Sequence, residues 1–579
     1  MTARDNRPGK GGRRRKDLVL RLPVRIDRLR YPGLGYDSVP TNSPNIPDLP
    51  PELKPLQPDF VDGENNRVIL DAAYALHGRI GLGESVRAIL ERHGDSTLLL
   101  PMSARSGGGG IFQVTPPTGS TVVGLSIEPS ASPSPTLAED ADVTALALDD
   151  IVICPARDWI YAGAAVSLDQ LNQALAELVG PGYRVLGADL TSYAYAQVGA
   201  TFMTGGMGPQ RRYFSDSVTA AALYDGERTR RLEGEELADH AATYGWTGIV
   251  QAVCCRYSRL PPNEVAFVLP VDSEPGFLAA LLERLAPWCF LDGSDGEVVN
   301  RQGDSDMILG IEHVTLESME PMLAQGADNT ASRCAAELAA KCRAAGCDGL
   351  VFVNGCTEGD ADAFLMSLLD DGSEDCPTIA GIDLEHSEVF RDPEEMRALR
   401  EGIPFAARTQ APRGKYVFKG HTDATVRLDP EHTGDQALSL WRINREYVES
   451  LTAYFENTPG VDGQVLVYGH MNPWGVDPHN RLTLASNSRD AFDHAVAFAR
   501  ECTHQYYRGL DRLCRQGGAW LVGGEKGACS EREILAAFDS QSTAPAALVR
   551  KFERQRRVIR AARRQFNWRA LPPYGDACA

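Results

Sequence analysis

A run of four glycines behind an arginine and a serine is the first feature of the sequence that could do chemistry. It comprises Arg105, Ser106, Gly107, Gly108, Gly109 and Gly110 and follows the apolar segment STLLLPM. Because glycine has no Cβ atom, successive backbone N–H groups can converge on an anion such as a pyrophosphate. The spacing fits neither a Walker loop nor the G-x-G-x-x-G dinucleotide fingerprint. A surface loop without a ligand is the alternative interpretation.

The segments around this run alternate between short strands and helices. GESVRAILERHG places Val86, Ile89 and Leu90 on one helical face, and STLLLPM is typical of a buried strand. DIVICPA and AGAAV indicate further strands, and SLDQLNQALAELV indicates an amphipathic helix. Short strands and helices alternate again beyond Pro261, and the last third of the chain is mainly helical. The pattern predicts an α+β fold without an internal repeat.

The order of these segments resembles the FAD-binding domain of the FAD-linked oxidases, also called PCMH-type or vanillyl-alcohol-oxidase-like flavoproteins. The glycine run, AGAAVSLDQLNQAL, VGATFMTGGMGPQRRYFSDSV and TYGWTGIVQAVCCRYSRLPP carry the resemblance. It implies an FAD cofactor whose pyrophosphate is held by the backbone of the glycine run. It also implies contacts beside the flavin and the adenine, from Gly199, Thr204, Gly205, Gly206, Gly248, Ile249 and Val250.

Within this family, MRALREGIPFAAR followed by GKYVFKGHTDATVRL resembles the D-lactate, glycolate and D-2-hydroxyglutarate dehydrogenase branch. Arg400 and Lys419 fall where that branch has a substrate-binding arginine and lysine. A guanidinium fork and an ammonium both bind carboxylate oxygens through charge-assisted hydrogen bonds, which suits a 2-hydroxycarboxylate. The alternative is a surface arginine and a lysine that flanks a helix.

Two later segments resemble the metal-binding motifs of the same branch. In LVYGHMNPWGVDPHN, His470 matches the first histidine of the motif, but Asp477 stands at the second position and His479 lies two residues further. In GGAWLVGGEKGACSE, Glu525 is retained and Lys526 replaces a histidine. The resemblance therefore implies a divalent metal held by His470, His479 and Glu525, with an ordinary polar loop as the alternative.

The same resemblance gives catalytic roles to His470 and Lys526 beside Arg400 and Lys419. Lys526 could take the proton of the substrate hydroxyl if burial lowered its pKa. It could instead balance the charge of the reduced flavin, or replace the positive charge of a lost metal. The sequence leaves these alternatives open.

The amino-acid composition limits the classes of binding partner that the protein can have. Of the 579 residues, 78 are acidic and 58 are lysine or arginine, which gives a net charge of −20 and disfavours nucleic-acid binding. No apolar run is long enough to cross a membrane, and the 13 cysteines show no C-x-x-C pair. We expect a cytoplasmic protein. The basic segment Arg13–Lys16 offers peripheral contact with an anionic membrane surface as an alternative.

We expect four regions along the chain. Residues 1–65 form a basic tail and extended arm, 66–262 a two-part FAD-binding domain, 263–430 an antiparallel-sheet substrate cap, and 431–579 a C-terminal helical segment that closes over the flavin. The arm offers a contact for a second copy or a partner subunit. The electron acceptor, whether protein, quinone or oxygen, is left open.

The leading hypothesis is an FAD-dependent oxidoreductase that oxidises a small 2-hydroxy acid by hydride transfer to flavin N5. One alternative is a flavoprotein subunit of a larger complex, with weak or no turnover of its own. Another is FAD-dependent oxidation of a different alcohol, such as a phenol or a sugar. An aromatic pocket in the cap would favour the phenol or sugar, whereas two cations there would favour the acid.

Overall fold

The computed structural model describes most of the chain between Leu53 and Gln565 and confirms the predicted α+β class. In full, the described residues are 53–61, 67–76, 81–94, 96–102, 119, 121–128, 133–190, 192–194, 196–292, 298–299, 305–324, 330–369, 386–390, 399, 415–524 and 546–565. No described helix is long and apolar enough to span a bilayer.

The first unit is a four-stranded sheet in the order β1-β4-β6-β5, in which β4, β5 and β6 are parallel. Its helix α1 buries Val86 and Ile89 completely, as the predicted helical face requires, while Leu90 is only half-buried. The elements are β1 (Leu53–Leu56), β2 (Asp59–Val61), β3 (Arg67–Ile69), β4 (Ala72–Leu76), α1 (Leu82–His93), β5 (Thr97–Met102) and β6 (Thr121–Ile127).

The second unit is a six-stranded sheet in the order β12-β11-β13-β9-β8-β7. Helix α2 begins where Ser167 and Gln170 form a reciprocal capping box, which satisfies two backbone donors at the helix start. The elements are β7 (Pro135–Leu137), β8 (Ile151–Cys154), β9 (Trp159–Gly163), α2 (Leu168–Leu178), β10 (Tyr183–Arg184), α3 (Val198–Thr204), α4 (Phe214–Ser217), β11 (Val218–Tyr224), β12 (Thr229–Glu233), α5 (Gly234–His240), β13 (Ile249–Arg256) and β14 (Ser258–Arg259).

The third unit is a seven-stranded antiparallel sheet in the order β20-β15-β19-β18-β23-β24-β21, with strands from both sides of residue 430. Its elements are β15 (Asn263–Val271), α6 (Pro275–Leu285), β16 (Leu291–Asp292), β17 (Val298–Val299), β18 (Asp306–Thr315), α7 (Leu316–Leu323), α8 (Thr330–Ala344), β19 (Gly349–Thr357), α9 (Ala361–Leu369), β20 (Glu388–Phe390), β21 (Tyr416–Thr422), β22 (Ala424–Arg427), α10 (Thr433–Asn457), β23 (Val461–His470), β24 (Asp477–Ser486), α11 (Arg489–Gly517) and β25 (Trp520–Gly524).

The two faces of this third sheet are covered differently. Helices α6, α10 and α11 pack over one face and form the largest apolar core of the described chain. On the other face, α7 and α8 cover β15, β19 and β18, where Val268, Val314 and Phe352 are buried. The apolar cluster under α7 and α8 contains no residue of β24 or β21. The second face is therefore divided into two halves.

A last helix, α12 (Ala546–Gln565), returns to the first two units. Gln555 donates a hydrogen bond to the Ala241 carbonyl at 2.9 Å, directly after α5. Ile559 joins the apolar cluster that the first sheet shares with Ala164 and Trp246 of the second unit. The C-terminal helix thus packs where the first two units meet.

Candidate active site

The most polar buried region lies where the loop after α3 meets the third unit. The Arg211 guanidinium donates from Nη2 to Asp477 at 3.0 Å and also to the Thr425 hydroxyl, and the Arg211 and Asp477 side chains are both fully buried. Packing holds this loop in place, since a Cβ atom on Gly310 would lie 2.5 Å from Pro209. The ion pair therefore joins the second unit to the third.

Arg211 has a backbone φ of +55°, in the left-handed region that non-glycine residues rarely occupy. The loop imposes this conformation, because the Gln210 N–H donates to Asp189 at 2.6 Å and the Gln210 side chain accepts from the Gly187 N–H at 2.7 Å. Among the described residues, the Arg211 Nε and Nη1 atoms have no hydrogen-bond partner. Strain and unused donors at one residue are typical of functional sites.

The histidine-containing segment singled out in the sequence forms the turn and the adjoining ends of the β23–β24 hairpin. His470 and Asp477 are direct cross-strand partners, so the seven-residue spacing does place those two positions opposite each other. His470 Nδ1 lies 3.5 Å from the Glu312 carboxylate, and His479 Nε2 lies 3.7 Å from Asp477. The two imidazole rings meet edge to face at 5.2 Å. Each buried histidine thus faces a carboxylate.

The predicted metal site finds no support in this arrangement. No group of three histidine, cysteine or acidic side chains in the described ranges is placed to hold a metal ion. His470 and His479 face different carboxylates, Glu312 and Asp477, which makes two separate pairs. Glu525, the third expected ligand, lies outside the described residues.

Further along the same face, cationic side chains follow one another on β21 and β24. His421 is the direct cross-strand partner of Arg481, and Lys419 is the partner of Thr483. We call Lys419, His421, Tyr468, His470, His479 and Arg481 the polar half of the sheet face. Arg400 and Lys526, the other predicted substrate-binding or catalytic residues, lie outside the described residues.

The described glycines predicted to contact FAD pack against the chain itself. A Cβ atom on Gly199 would lie 2.7 Å from the Ala164 Cβ, and one on Gly248 would lie 2.6 Å from the Tyr224 carbonyl. Gly205 ends α3 with a φ of +67°, and a Cβ atom on Gly206 would lie 3.1 Å from Leu190. Internal packing or backbone conformation therefore explains the use of glycine at these positions.

The other predicted cofactor contacts are placed as follows. Thr204 is the last residue of α3, and it is half-buried. Ile249 and Val250 open β13 and are both buried. The glycine run Arg105–Gly110 lies outside the described residues, three positions after the end of β5 at Met102.

Unsatisfied polar atoms gather at the carboxyl end of β6, beside the end of β5. The Ser126 Oγ, Glu128 Oε1 and Gln197 Oε1 atoms are buried without a hydrogen-bond partner in the part of the chain that the structure describes. Gln197 also donates to the Ile127 carbonyl at 2.8 Å, which ties the start of α3 to this edge. Three buried oxygen acceptors suit a ligand that brings hydroxyl or amine donors.

No protein-family model and no curated protein matches this chain. Among solved structures, alkyldihydroxyacetonephosphate synthase matches over 81% of both chains at 13% identity, with a TM-score of 0.52. Likenesses with lower TM-scores are 6-hydroxy-D-nicotine oxidase from Arthrobacter nicotinovorans (13% identity, 84% of this chain and 88% of that one, 0.43) and BBE-like 1 from Physcomitrella patens (9%, 86% and 90%, 0.45).

At this level of identity, the likeness to alkyldihydroxyacetonephosphate synthase shows a shared fold and no more. It extends over most of the chain. The sequence resemblance to PCMH-type proteins is thereby supported at the level of the fold. The D-lactate, glycolate and D-2-hydroxyglutarate branch is not confirmed.

Sequence reasoning missed two arginines. Arg211 stands in the quoted segment GGMGPQRRYF, where the first of two arginines ends a glycine-rich turn. Arg481 stands in HNRLTLAS, where a charged residue directly precedes the alternating segment LTLA of a strand. A charge in a buried strand is costly unless it has a function or a partner, and that signal was available from the sequence alone.

Proposed function

We propose that this chain is an FAD-dependent oxidoreductase that oxidises a 2-hydroxy acid at the polar half of the third sheet. The observation that carries the proposal is that half face itself, where the two carboxylate-paired histidines lie beside the Arg211–Asp477 ion pair and Arg481 and Lys419 follow further along β24 and β21. Cations on a largely buried surface suit an anionic substrate better than a phenol or a neutral sugar.

The support for FAD comes from the fold and from one edge of the first unit. The glycine run follows the carboxyl end of parallel strand β5, and the buried acceptors of Ser126, Glu128 and Gln197 lie at the end of its neighbour β6. We propose that the run holds the pyrophosphate and that these acceptors receive hydroxyl donors. Bound FAD would supply hydride acceptance at N5, which no protein side chain can supply.

The histidine pair would manage the proton of the substrate hydroxyl. We propose His470 as the base, since a carboxylate beside one ring nitrogen stabilises the imidazolium that forms when the other nitrogen takes a proton. Glu312 occupies that position, at 3.5 Å from Nδ1. Arg211 holds Asp477 in place, and Asp477 in turn orients His479. Lys526 remains a predicted alternative base.

A visible spectrum of the purified full-length chain tests the proposal first. We expect oxidised-flavin absorption that bleaches when D-lactate, glycolate or D-2-hydroxyglutarate is added without oxygen. His470→Asn should slow the bleaching by about 10²–10⁴-fold, the range for loss of a general base. His494→Asn, on the exposed side of α11, is the matched control and should bleach at the normal rate.

Three results would overturn this function. One is a chain without flavin after expression with excess riboflavin and reconstitution with FAD. Another is a flavin that none of the 2-hydroxy acids reduces, while phenols or sugars do. The third is equal bleaching by the His470→Asn and His494→Asn variants, which would remove His470 from the reaction.

A further inference from the structure

Arg481 is a buried cation without a partner among the described residues. The residue is only 6% exposed, and its Nε atom is buried without a hydrogen bond to any described residue. Within the described ranges, Arg481 makes neither a hydrogen bond nor an ion pair. Desolvating a charged group without a partner costs several kcal/mol, so this arrangement points to a partner outside the described side chains.

The acidic groups near Arg481 are engaged elsewhere. Asp423 lies 3.6 Å from the ring of His421, which is the residue directly opposite Arg481. Asp477, on the same strand, binds Arg211. On its other side, Arg481 is opposite Leu466, which carries no charge. The positive charge of Arg481 is therefore not balanced by these carboxylates.

The neighbours of Arg481 are cations or potential cations. His421 is its direct cross-strand partner, and Lys419 is the diagonal neighbour, about 7–8 Å away for such positions. His479 precedes Arg481 by two residues on the same face. A guanidinium, an ammonium and imidazoles on one patch of sheet make a site for an anion with several oxygens.

The position of this patch limits what the anion can be part of. Arg481 follows Asp477 by four residues, a separation of about 13 Å along an antiparallel strand. The pair of His470 and Asp477 lies at the inner end of the strand, next to the second unit. An anionic group at Arg481 therefore lies well away from a carbon that reacts beside His470.

We propose that Arg481, with His421 and Lys419 beside it, forms an anion subsite for a carboxylate or phosphate group at the far end of an elongated substrate. That the ligand is the substrate rests on the proposed function, whereas anion binding by Arg481 does not. The substrate would then carry a second anionic group remote from the hydroxyl that is oxidised.

The experiment compares the full-length wild-type chain with Arg481→Met and with Arg512→Met, an arginine on the exposed side of α11. Glutarate and acetate probe carboxylates, and glycerol 3-phosphate and inorganic phosphate probe phosphates, by calorimetric titration. We expect glutarate, glycerol 3-phosphate or both to bind the wild type, and Arg481→Met to weaken that binding about tenfold or more. Arg512→Met should bind as the wild type does.

Thermal unfolding without added anion separates this role from a structural one. Because Arg481 has no partner in the described chain, Arg481→Met should melt at the wild-type temperature or above it. Loss of glutarate binding alone identifies a carboxylate site, and loss of glycerol 3-phosphate binding alone identifies a phosphate site. No binding of any probe by the wild type, equal binding by Arg481→Met, or a clear drop in its melting temperature would overturn the proposal. A missing flavin spectrum would count only against the oxidoreductase.

Discussion

The two halves of one sheet face differ more than any other neighbouring regions of the described chain. The apolar half, on β15, β19 and β18, carries Ala266, Val268, Val314, Leu350 and Phe352 under α7 and α8. The polar half, on β23, β24 and β21, carries three histidines, a lysine and an arginine. Both halves share one continuous antiparallel hydrogen-bond ladder, so the backbone does not distinguish them.

The difference shows how one sheet can serve both stability and chemistry. Where helices cover the face, apolar side chains lose contact with water and stabilise the fold. On β24 and β21, which contribute no residue to the apolar cluster under α7 and α8, the face keeps charged side chains in place through the rigid ladder beneath them. Substitutions in the apolar half should therefore mainly change stability, and those in the polar half mainly change binding.

The largest effect should come from the apolar half. Phe352→Ala removes a ring that is 2% exposed between the sheet and its helices, and should lower the free energy of unfolding by about 3–5 kcal/mol. Urea unfolding of the full-length chain measures it. Arg481→Met is the counterpart in the polar half and should not lower the free energy of unfolding. Similar losses in both variants would remove the distinction between the halves.

A large effect should also follow from breaking the ion pair at the inner end of the polar half. Arg211→Met leaves Asp477 buried without its guanidinium and should cost about 3–5 kcal/mol. The double variant Arg211→Met/Asp477→Leu removes both charges and should recover much of that loss. Urea unfolding of both single variants and the double variant gives the coupling energy. Additive losses would mean that the pair is not coupled.

Part of the pH dependence of stability should come from the helix-covered side of the third sheet. Burial lowers the pKa of His313 to about 4, against Trp441 on the face opposite Glu312. In the unfolded chain His313 takes up a proton near pH 6.5, whereas in the folded chain it does so only near pH 4. Its contribution to the free energy of unfolding is therefore complete above pH 6.5 and is lost as the pH falls toward 4. The loss is at most roughly 3 kcal/mol.

Burial also lowers the pKa of His240, in the second unit, to about 4, with the same sign. Urea unfolding between pH 7 and 4.5 should therefore show a slope that His313→Asn reduces only in part. The exposed His494→Asn variant should keep the full slope. A slope that neither His313→Asn nor His240→Asn changes would place the proton uptake elsewhere.

The smallest effect should come from an uncharged position within the polar half. Thr483 is half-buried opposite Lys419, and Thr483→Val keeps its shape. Because the side chain makes no hydrogen bond within the described chain, stability should stay within about 0.5 kcal/mol of the wild type. A loss above 1 kcal/mol in urea unfolding would show that this half also carries structural packing.

Local sequence determined the parts of the molecule that depend on neighbours along the chain. The spacing of Val86 and Ile89 predicted α1 and its buried face, and the apolar pattern predicted the helix that begins after Ser167. His470 and Asp477, which are seven residues apart, are direct cross-strand partners in the β23–β24 hairpin. Helical periodicity, strand alternation and hairpin register all depend on a few consecutive residues, and a sequence shows these directly.

Only the tertiary structure decided which of these pieces form the site. Arg211 and Asp477 are 266 residues apart, and no local pattern predicts that a glycine-rich loop of one unit will contact a hairpin of another. Glu312 reaches His470, and no described carboxylate pairs with Arg481, because the order of strands in the third sheet sets their neighbours. Strand order follows from burying apolar faces against helices over the whole chain, a balance of long-range packing that single-sequence patterns do not contain.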